Sequence, residues 1–450
     1  MSTQTPSHAD ARRAASASAV GSLIEWYDFA LYGAAAALIF KSYFFSAENP
    51  TAGLLAAFAT FAVGYFARPF GGIIFGHLGD KVGRKPVMIF TLALMGVSTA
   101  LIGLLPSYAS IGLAAPVLLV VLRVLQGLGA GAEYAGAIVL SSESSPPTHR
   151  GFYASWSGGG VWLGSALGLG AMQLSLWLTG DNFETWGWRI PFLASIAMLA
   201  VSLYIRRSVE ETQSFEETSK SDQIESLPLV SLLRTEKGRL AVALGSNFML
   251  SGFSYVPQVW ALSYLTNDLA IAASLALGIN AAMLTAGAIF MPIFGRVGDR
   301  IGRRRLFLFG CSFGAVWAFP MFLLIDTGQT VLIVLALSIC FVGAVATCYA
   351  AQAAFLAELF PPAKRYSGVA FAREVSGAAL GGTTPLVATA VVAATDSWWP
   401  VAVWMVFMAV VAFISVYLSK NYRSDANQND VDRFNHVADG ASSRRLQAQS

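Results

Sequence analysis

Residues 76–85 read GHLGDKVGRK, and a near copy, GRVGDRIGRR, returns at residues 295–304. Gly76, Gly79, Asp80, Gly83 and Arg84 keep their offsets in Gly295, Gly298, Asp299, Gly302 and Arg303. Both copies are short polar stretches set between long apolar runs. A duplicated charged loop in an apolar chain says that the chain is built twice. A second repeat agrees: ESSPPTHR at 143–150 recurs as ELFPPAKR at 358–365, matching Glu143 and Arg150 with Glu358 and Arg365.

Composition sets the class around that repeat. The chain has 450 residues, 55% hydrophobic and 12% charged, where a soluble domain is roughly 25% charged. A bilayer offers no water to backbone polar groups, so spanning structure must be helical or a closed barrel. The apolar runs are continuous over about 20 residues, the length of a spanning helix. They lack the ten-residue alternation of a membrane barrel. The expectation is therefore an all-α membrane protein of twelve transmembrane helices in two pseudo-symmetric six-helix bundles.

The spans fall near 17–40, 52–75, 86–106, 112–141, 152–179 and 190–205, then 240–265, 275–294, 306–325, 331–357, 366–394 and 398–418. This divides the chain into an N-tail (1–16), an N-terminal bundle (17–205), a polar linker (206–239), a C-terminal bundle (240–418) and a tail (419–450). The tail is polar without heptads, which predicts disorder. Parallel halves of this kind match the architecture of secondary transporters, whose site lies between the halves near the midplane.

Of the 29 lysines and arginines, all but Arg68, Arg123, Arg373, Lys41 and Arg189 fall in the tails and the even-numbered loops. Positive residues mark the cytoplasmic side. Both termini are thus expected in the cytoplasm and the chain in the cell (inner) membrane.

Several function classes drop out. A net charge of +3 gives no nucleic-acid signal. Cys311, Cys340 and Cys348 sit in apolar runs without a CxxC spacing, as small core residues do. The four histidines lie in tails or loop edges, so no metal site or cofactor is expected and a membrane enzyme lacks its catalytic cluster. The N-terminus, MSTQTPSHADARR, leads into a run with two carboxylates, a poor signal peptide.

Chemistry is concentrated in charges at membrane depth. Glu25 and Asp28 stand three apart in the first span and share a face with Tyr32. An ionised acid at mid-helix costs roughly 3 kcal/mol on insertion scales. Either a cation pairs with these two, or one of them holds a proton, as a proton-coupled carrier requires. Arg68 and Arg123 are candidates either to bind a carboxylate through the planar guanidinium fork or to hold the acids, Glu133 included. Arg373 and Glu374 are adjacent and so point about 100° apart. Their counterparts in the first half are Gly158 and Gly159, so the halves differ there. Gln258, Asn280 and Gln352 are expected to make helix–helix hydrogen bonds. The glycines at 127, 129 and 131 lie inside a spanning helix without a preceding strand, so they read as close packing rather than a nucleotide loop.

Asp80 with Arg84, Asp299 with Arg303, Glu143 with Arg150, and Glu358 with Arg365 all sit at the cytoplasmic rim. Charge-assisted bonds among them would form a gate that breaks when this face opens.

Over residues 17–420 the chain resembles the major facilitator superfamily. GHLGDKVGRK is similar to that family's loop between its second and third helices, and RVLQGLGAGAE (123–133) to its fourth-helix signature. GSLIEWYDFALYG (21–33), RPFGGIIFGHLGD (68–80) and WGWRIPF (186–192) resemble the metabolite:proton symporter family. That family includes shikimate, α-ketoglutarate and proline/betaine carriers. ALYGAAAALIF (30–40) and LLAAFATFAVGYFARPFGG (54–72) are nearest the shikimate branch. Two departures lean toward symport of an organic metabolite. The tail cannot form the coiled coil of the osmosensing branch, and GGGVWLGSALG lacks the antiporter proline. The resemblance implies a monomeric importer of a small organic acid with protons, by alternating access; the alternative is a carrier of zwitterions such as proline or betaine.

Overall fold

The computed structural model describes residues 8–45, 49–82, 84–131, 149–208, 228–361 and 364–419. Among these every regular element is a helix. Among the described residues eight helical segments are long and apolar enough to cross a membrane, and three shorter ones, Pro86–Ile102, Ala114–Ala130 and Arg189–Val201, are apolar too. The expected span at 240–265 is broken into α-helical and π-helical pieces running from Lys237 to Asp268. Large apolar side chains such as Phe70, Ile73, Leu113, Trp177 and Val316 stand exposed around the outside, the surface that lipid covers.

The elements that build the interior are α1 (His8–Ala35), α2 (Pro50–Val82), α3 (Arg84–Ile102), α4 (Ala114–Ala130), α5 (Arg150–Thr179), α6 (Arg189–Ser208) and α7 (Lys237–Asn247). They continue with α8 (Ala273–Ile301), α9 (Arg303–Ile325), α10 (Thr330–Cys340), α11 (Thr347–Leu359), α12 (Arg365–Ser376), α13 (Thr384–Thr395) and α14 (Trp399–Leu418). Two boundaries differ from the apolar runs. Helix α1 is already formed at His8, where the described residues begin, and Ala11 and Ala15 pack against Tyr153. A further helix, Pro228–Thr235, lies inside the polar linker.

The repeated loop owes its shape to a glycine. Helix α8 ends and α9 begins around the single residue Gly302, at φ +95°. A side chain is strained in that region, and glycine is not. The chain reverses there without a longer loop.

Small residues set how close the helices come. A Cβ on Gly127 would lie 2.1 Å from the Gly64 carbonyl oxygen, and one on Gly131 2.0 Å from that of Arg68, so α4 packs backbone to backbone on α2. Gly160 and Gly164 meet the carbonyls of Ala19 and Leu23 in the same way, seating α5 on α1. This is small-residue packing, the driving force available to helices in lipid. The three cysteines are fully buried.

Helix α5 also runs antiparallel along α8, from Gly151 near Asp299 at one end to Gln173 near Ser274 at the other. π-Helical turns interrupt the elements around the interior at Phe248–Phe253, Val256–Trp260, Phe341–Ala346 and Gly377–Gly381. Such turns concentrate at functional positions, because the extra residue re-aims the side chains that follow.

Candidate functional site

Glu25 and Asp28 share the inner face of α1 but have different partners. The Glu25 carboxylate lies 2.9 Å from Arg68 Nη2 on α2. Arg68 Nε also donates to Glu374 Oε2 on α12 at 2.9 Å. One guanidinium thus joins the N-terminal and C-terminal halves of the chain. Asp28 Oδ2 accepts instead from Thr99 Oγ1 on α3 at 2.9 Å. Asp28 Oδ1 has no hydrogen-bond partner among the described residues, although the residue is only 2% exposed.

Arg123 is fully buried and caged by rings. Its Cζ lies 4.0 Å from the ring centre of Tyr32, 4.8 Å from Phe29 and 5.2 Å from Phe61. Its fork donates to Gln126 Oε1 and to the Phe61 carbonyl. Gln126 Nε2 in turn donates to Thr99 Oγ1 at 2.8 Å. Arg123 therefore reaches Asp28 through Gln126 and Thr99. Tyr32 donates to Thr60 Oγ1 at 2.6 Å, which fixes the ring under the guanidinium. Cation–π contacts strengthen when water is excluded, as here.

Arg373 and Glu374 diverge as adjacent helical residues must. Glu374 meets Arg68, and Arg373 Nη2 donates to Tyr349 Oη on α11 at 3.0 Å. Three acids (Glu25, Asp28, Glu374) and three arginines (Arg68, Arg123, Arg373) are thus buried together. Fully ionised, the group is neutral. That balance offsets the cost of placing charge at membrane depth.

Two chambers open in the interior. The charged one is lined by Arg68, Arg373, Glu374, Tyr349 and Trp162, among others. The aromatic one is lined by Phe29, Phe61, Gln258, Val259 and Leu284, among others. Trp26, Tyr65 and Tyr255 line both. Tyr65 on α2 and Tyr255 between two π-helical turns hydrogen-bond hydroxyl to hydroxyl at 2.6 Å. Arg123 lines neither chamber.

At one rim, Asp299 accepts from the backbone N–H of Gly151 and of Phe152, each at 2.9 Å. It thereby caps α5 with a charge that complements the helix dipole. Arg303 Nη2 holds the same carboxylate at 3.0 Å and pairs with Glu358. Arg365 opens α12. Glu133 and Glu143 lie outside the described residues, as do the side chains of Asp80, Arg84 and Arg150. At the opposite end Lys41 donates to Asn267.

Gln352 makes the expected helix–helix bond, to Asn247 Oδ1 at 2.9 Å. Both amide atoms of Asn280 and Oε1 of Gln258 lack hydrogen-bond partners among the described residues. Thr99, Gln126, Tyr65, Tyr255, Tyr349 and Trp162 were not singled out from the sequence as site residues. Gln126 stands three residues after Arg123, and Tyr65 three before Arg68, spacings that place each pair on one helix face. Thr99 carries no such signal. Among the described residues no group of three His, Cys, Asp or Glu side chains is placed to hold a metal ion.

Comparison with known proteins gives this arrangement its context. A family model described as sugar (and other) transporter matches residues 14–222, and the major facilitator superfamily model matches 242–446. The shikimate transporter of Escherichia coli (strain K12) is 36% identical over 91% of this chain and 95% of its own. The chain belongs to the major facilitator superfamily. It is a membrane transport protein, not an enzyme. An inner membrane metabolite transport protein of the same organism is 36% identical over 83% of this chain and 86% of its own. Its proline/betaine transporter is 34% identical over 90% and 82%. A solved proton:xylose symporter of the superfamily shares the fold, with a TM-score of 0.71 at 16% identity over 92% of this chain and 96% of that one.

Proposed function

We propose that this superfamily member imports a small organic acid together with protons across the inner membrane, by rocking of two six-helix bundles. The broken stretch Lys237–Asp268 supplies the seventh of twelve spans, and both termini face the cytoplasm. The observation that carries the reading is the ion bridge Glu25–Arg68–Glu374, which spans the two halves beside a chamber that also holds Arg373. A carboxylate entering that chamber can take up guanidinium donors in a planar, charge-assisted pair. It would then compete with Glu374 for Arg68. Substrate binding and the contact between halves become one event, which alternating access requires.

Asp28 is the proton carrier in this scheme. With one oxygen held by Thr99 and the other unpartnered, it can bind a proton without breaking an ion pair, whereas Glu25 cannot. Arg123, linked to it through Gln126 and Thr99, balances the charge when the proton leaves. Glu133 belongs to this reading only through the resemblance of the fourth-helix signature. The rim pairs of Asp80, Arg84, Glu143, Arg150, Asp299, Arg303, Glu358 and Arg365 act as the cytoplasmic gate. The protein works as a monomer.

A second reading has its own support. Trp26, Trp162, Tyr65, Tyr255 and Tyr349 line the charged chamber, and aromatic rings can attract a quaternary ammonium such as that of betaine. Uptake of labelled monocarboxylates, dicarboxylates and betaine into proteoliposomes, with and without an imposed proton gradient, tests the two. Gradient-driven accumulation of a carboxylate supports the first; accumulation of betaine alone supports the second.

A further inference from the structure

The two chambers follow one another along the helices. On α1 the charged chamber takes Trp26, and the aromatic one also takes Phe29 and Ala34, further toward Lys41. On α2, which runs back the other way, the charged chamber takes Arg68 and the aromatic one Phe61. On the broken stretch Lys237–Asp268 they take Ser251 and Val259. Three elements thus agree that the aromatic chamber lies toward the end where Lys41 meets Asn267, and the charged one toward the Asp299 rim. Tyr65 and Tyr255 line both, so they stand at the boundary. Tyr65 belongs to the N-terminal half and Tyr255 to the C-terminal half. Their rings meet edge to face at 87°, and their hydroxyls are 2.6 Å apart. Both residues are at most 4% exposed. A buried tyrosine hydroxyl needs a hydrogen-bond partner, and among the described residues each has the other.

We propose that the Tyr65–Tyr255 pair is the partition between an outer vestibule, the aromatic chamber, and the charged chamber behind it. Tyr255 is the moving leaf and Tyr65 the fixed stop. The inference goes beyond the transport reading above but takes its orientation from it, with the Lys41–Asn267 end outside. No charged side chain lines the aromatic chamber, so its wall has nothing to hold an ionic group, whereas the charged chamber has two arginines. A neutral hydroxyl pair is held less tightly than the charge-assisted bridge from Arg68 to Glu374. The partition therefore yields before the bridge does. Tyr65 is braced by its own half, with the rings of Phe29 and Phe61 each 5.2 Å away. Tyr255 stands between the π-helical turns Phe248–Phe253 and Val256–Trp260, where the helical ladder is already interrupted. A third π-helical turn, Gly377–Gly381, passes beside the pair. A Cβ on Gly381 would lie 3.2 Å from Tyr255 Cζ, and one on Gly382 2.9 Å from Tyr65 Cβ. This glycine stretch leaves room for both rings at the boundary.

The test is thiol labelling of the full chain in sealed membrane vesicles, with a membrane-impermeant reagent applied to one side at a time. Ala34→Cys reports on the aromatic chamber and Ser251→Cys on the charged one. The chain without a reporter, whose native cysteines are fully buried, gives the background. From outside, Ala34→Cys should label faster than Ser251→Cys. Tyr65→Phe and Tyr255→Phe keep the ring and remove the hydroxyl pair. In either background the rate at Ser251→Cys, divided by that at Ala34→Cys, should rise about fivefold, the worth of one neutral hydrogen bond. The ratio cancels any change in how readily the outer rim opens. Equal rates at the two reporters with both tyrosines present, or a ratio unmoved by either phenylalanine, would overturn the partition. Faster labelling of Ala34→Cys from the cytoplasmic side would overturn the outer vestibule. No substrate is added, so failure of a carboxylate to accumulate would count against the transport reading and not against the partition.

Discussion

Arg68 on α2 donates to Glu374 on α12 at 2.9 Å, and both side chains are at least nine-tenths buried. Residues 306 apart in the chain are thereby joined by a charge pair inside a membrane protein. The same guanidinium holds Glu25.

Removing one end of that bridge should be felt in stability. Glu374→Ala leaves Arg68 with a single carboxylate partner and an opened cavity beside it. The expected cost is about 1–3 kcal/mol, seen as a lowered thermal midpoint of the purified protein, with loss of uphill uptake. An unchanged midpoint with full uptake would show that the bridge does not join the halves.

The glycine contacts predict a contrast. Gly127→Ala pushes a Cβ to within 2.1 Å of the Gly64 carbonyl oxygen, where backbone must move. Gly170→Ala on α5 meets nothing within 4 Å. The first should lower the thermal midpoint markedly. The second should hold it or raise it slightly, since alanine favours a helix over glycine by up to about 1 kcal/mol. Equal effects would contradict the packing described.

The rim has its own reporter. Asp299 accepts two backbone N–H bonds from the start of α5 and one from Arg303. Asp299→Asn removes the charge that strengthens all three. Labelling of a Ser155→Cys reporter, buried one turn into α5, by a membrane-impermeant thiol reagent should rise about tenfold, as expected from losing one charge-assisted bond. Unaltered labelling would remove Asp299 from the gate.

Arg123 should separate rate from affinity. Because it lines neither chamber, Arg123→Lys should lower turnover by about tenfold or more through loss of its fork to Gln126 and Phe61. Carboxylate affinity measured by binding should shift much less. A loss of affinity equal to the loss of rate would place Arg123 in the substrate site.

The sequence was most legible where chemistry conflicts with the membrane. Glu25, Asp28, Arg68, Arg373 and Glu374 stand out because each is costly at depth, and the structure gathers all of them with Arg123 into one buried group. The repeat was equally plain, and Gly302 supplies the turn that its glycine announced. What stayed hidden is pairing across elements. Nothing local to α1 says that Glu25 goes to Arg68 while Asp28 goes to Thr99, since both acids share a face. Thr99 and Tyr255 are ordinary residues for spanning helices, and only packing gives them a role. The break in the seventh expected span was also unannounced, because an apolar run reads the same with α or π turns.

The most direct test of coupling is substrate-induced proton movement into proteoliposomes loaded with a pH-sensitive dye, wild type against Asp28→Asn. The wild type should acidify the lumen when a transported carboxylate is added outside. Asp28→Asn should still exchange labelled carboxylate across the membrane, yet move no protons and accumulate nothing against a gradient. Acidification by Asp28→Asn at the wild-type rate would contradict the account.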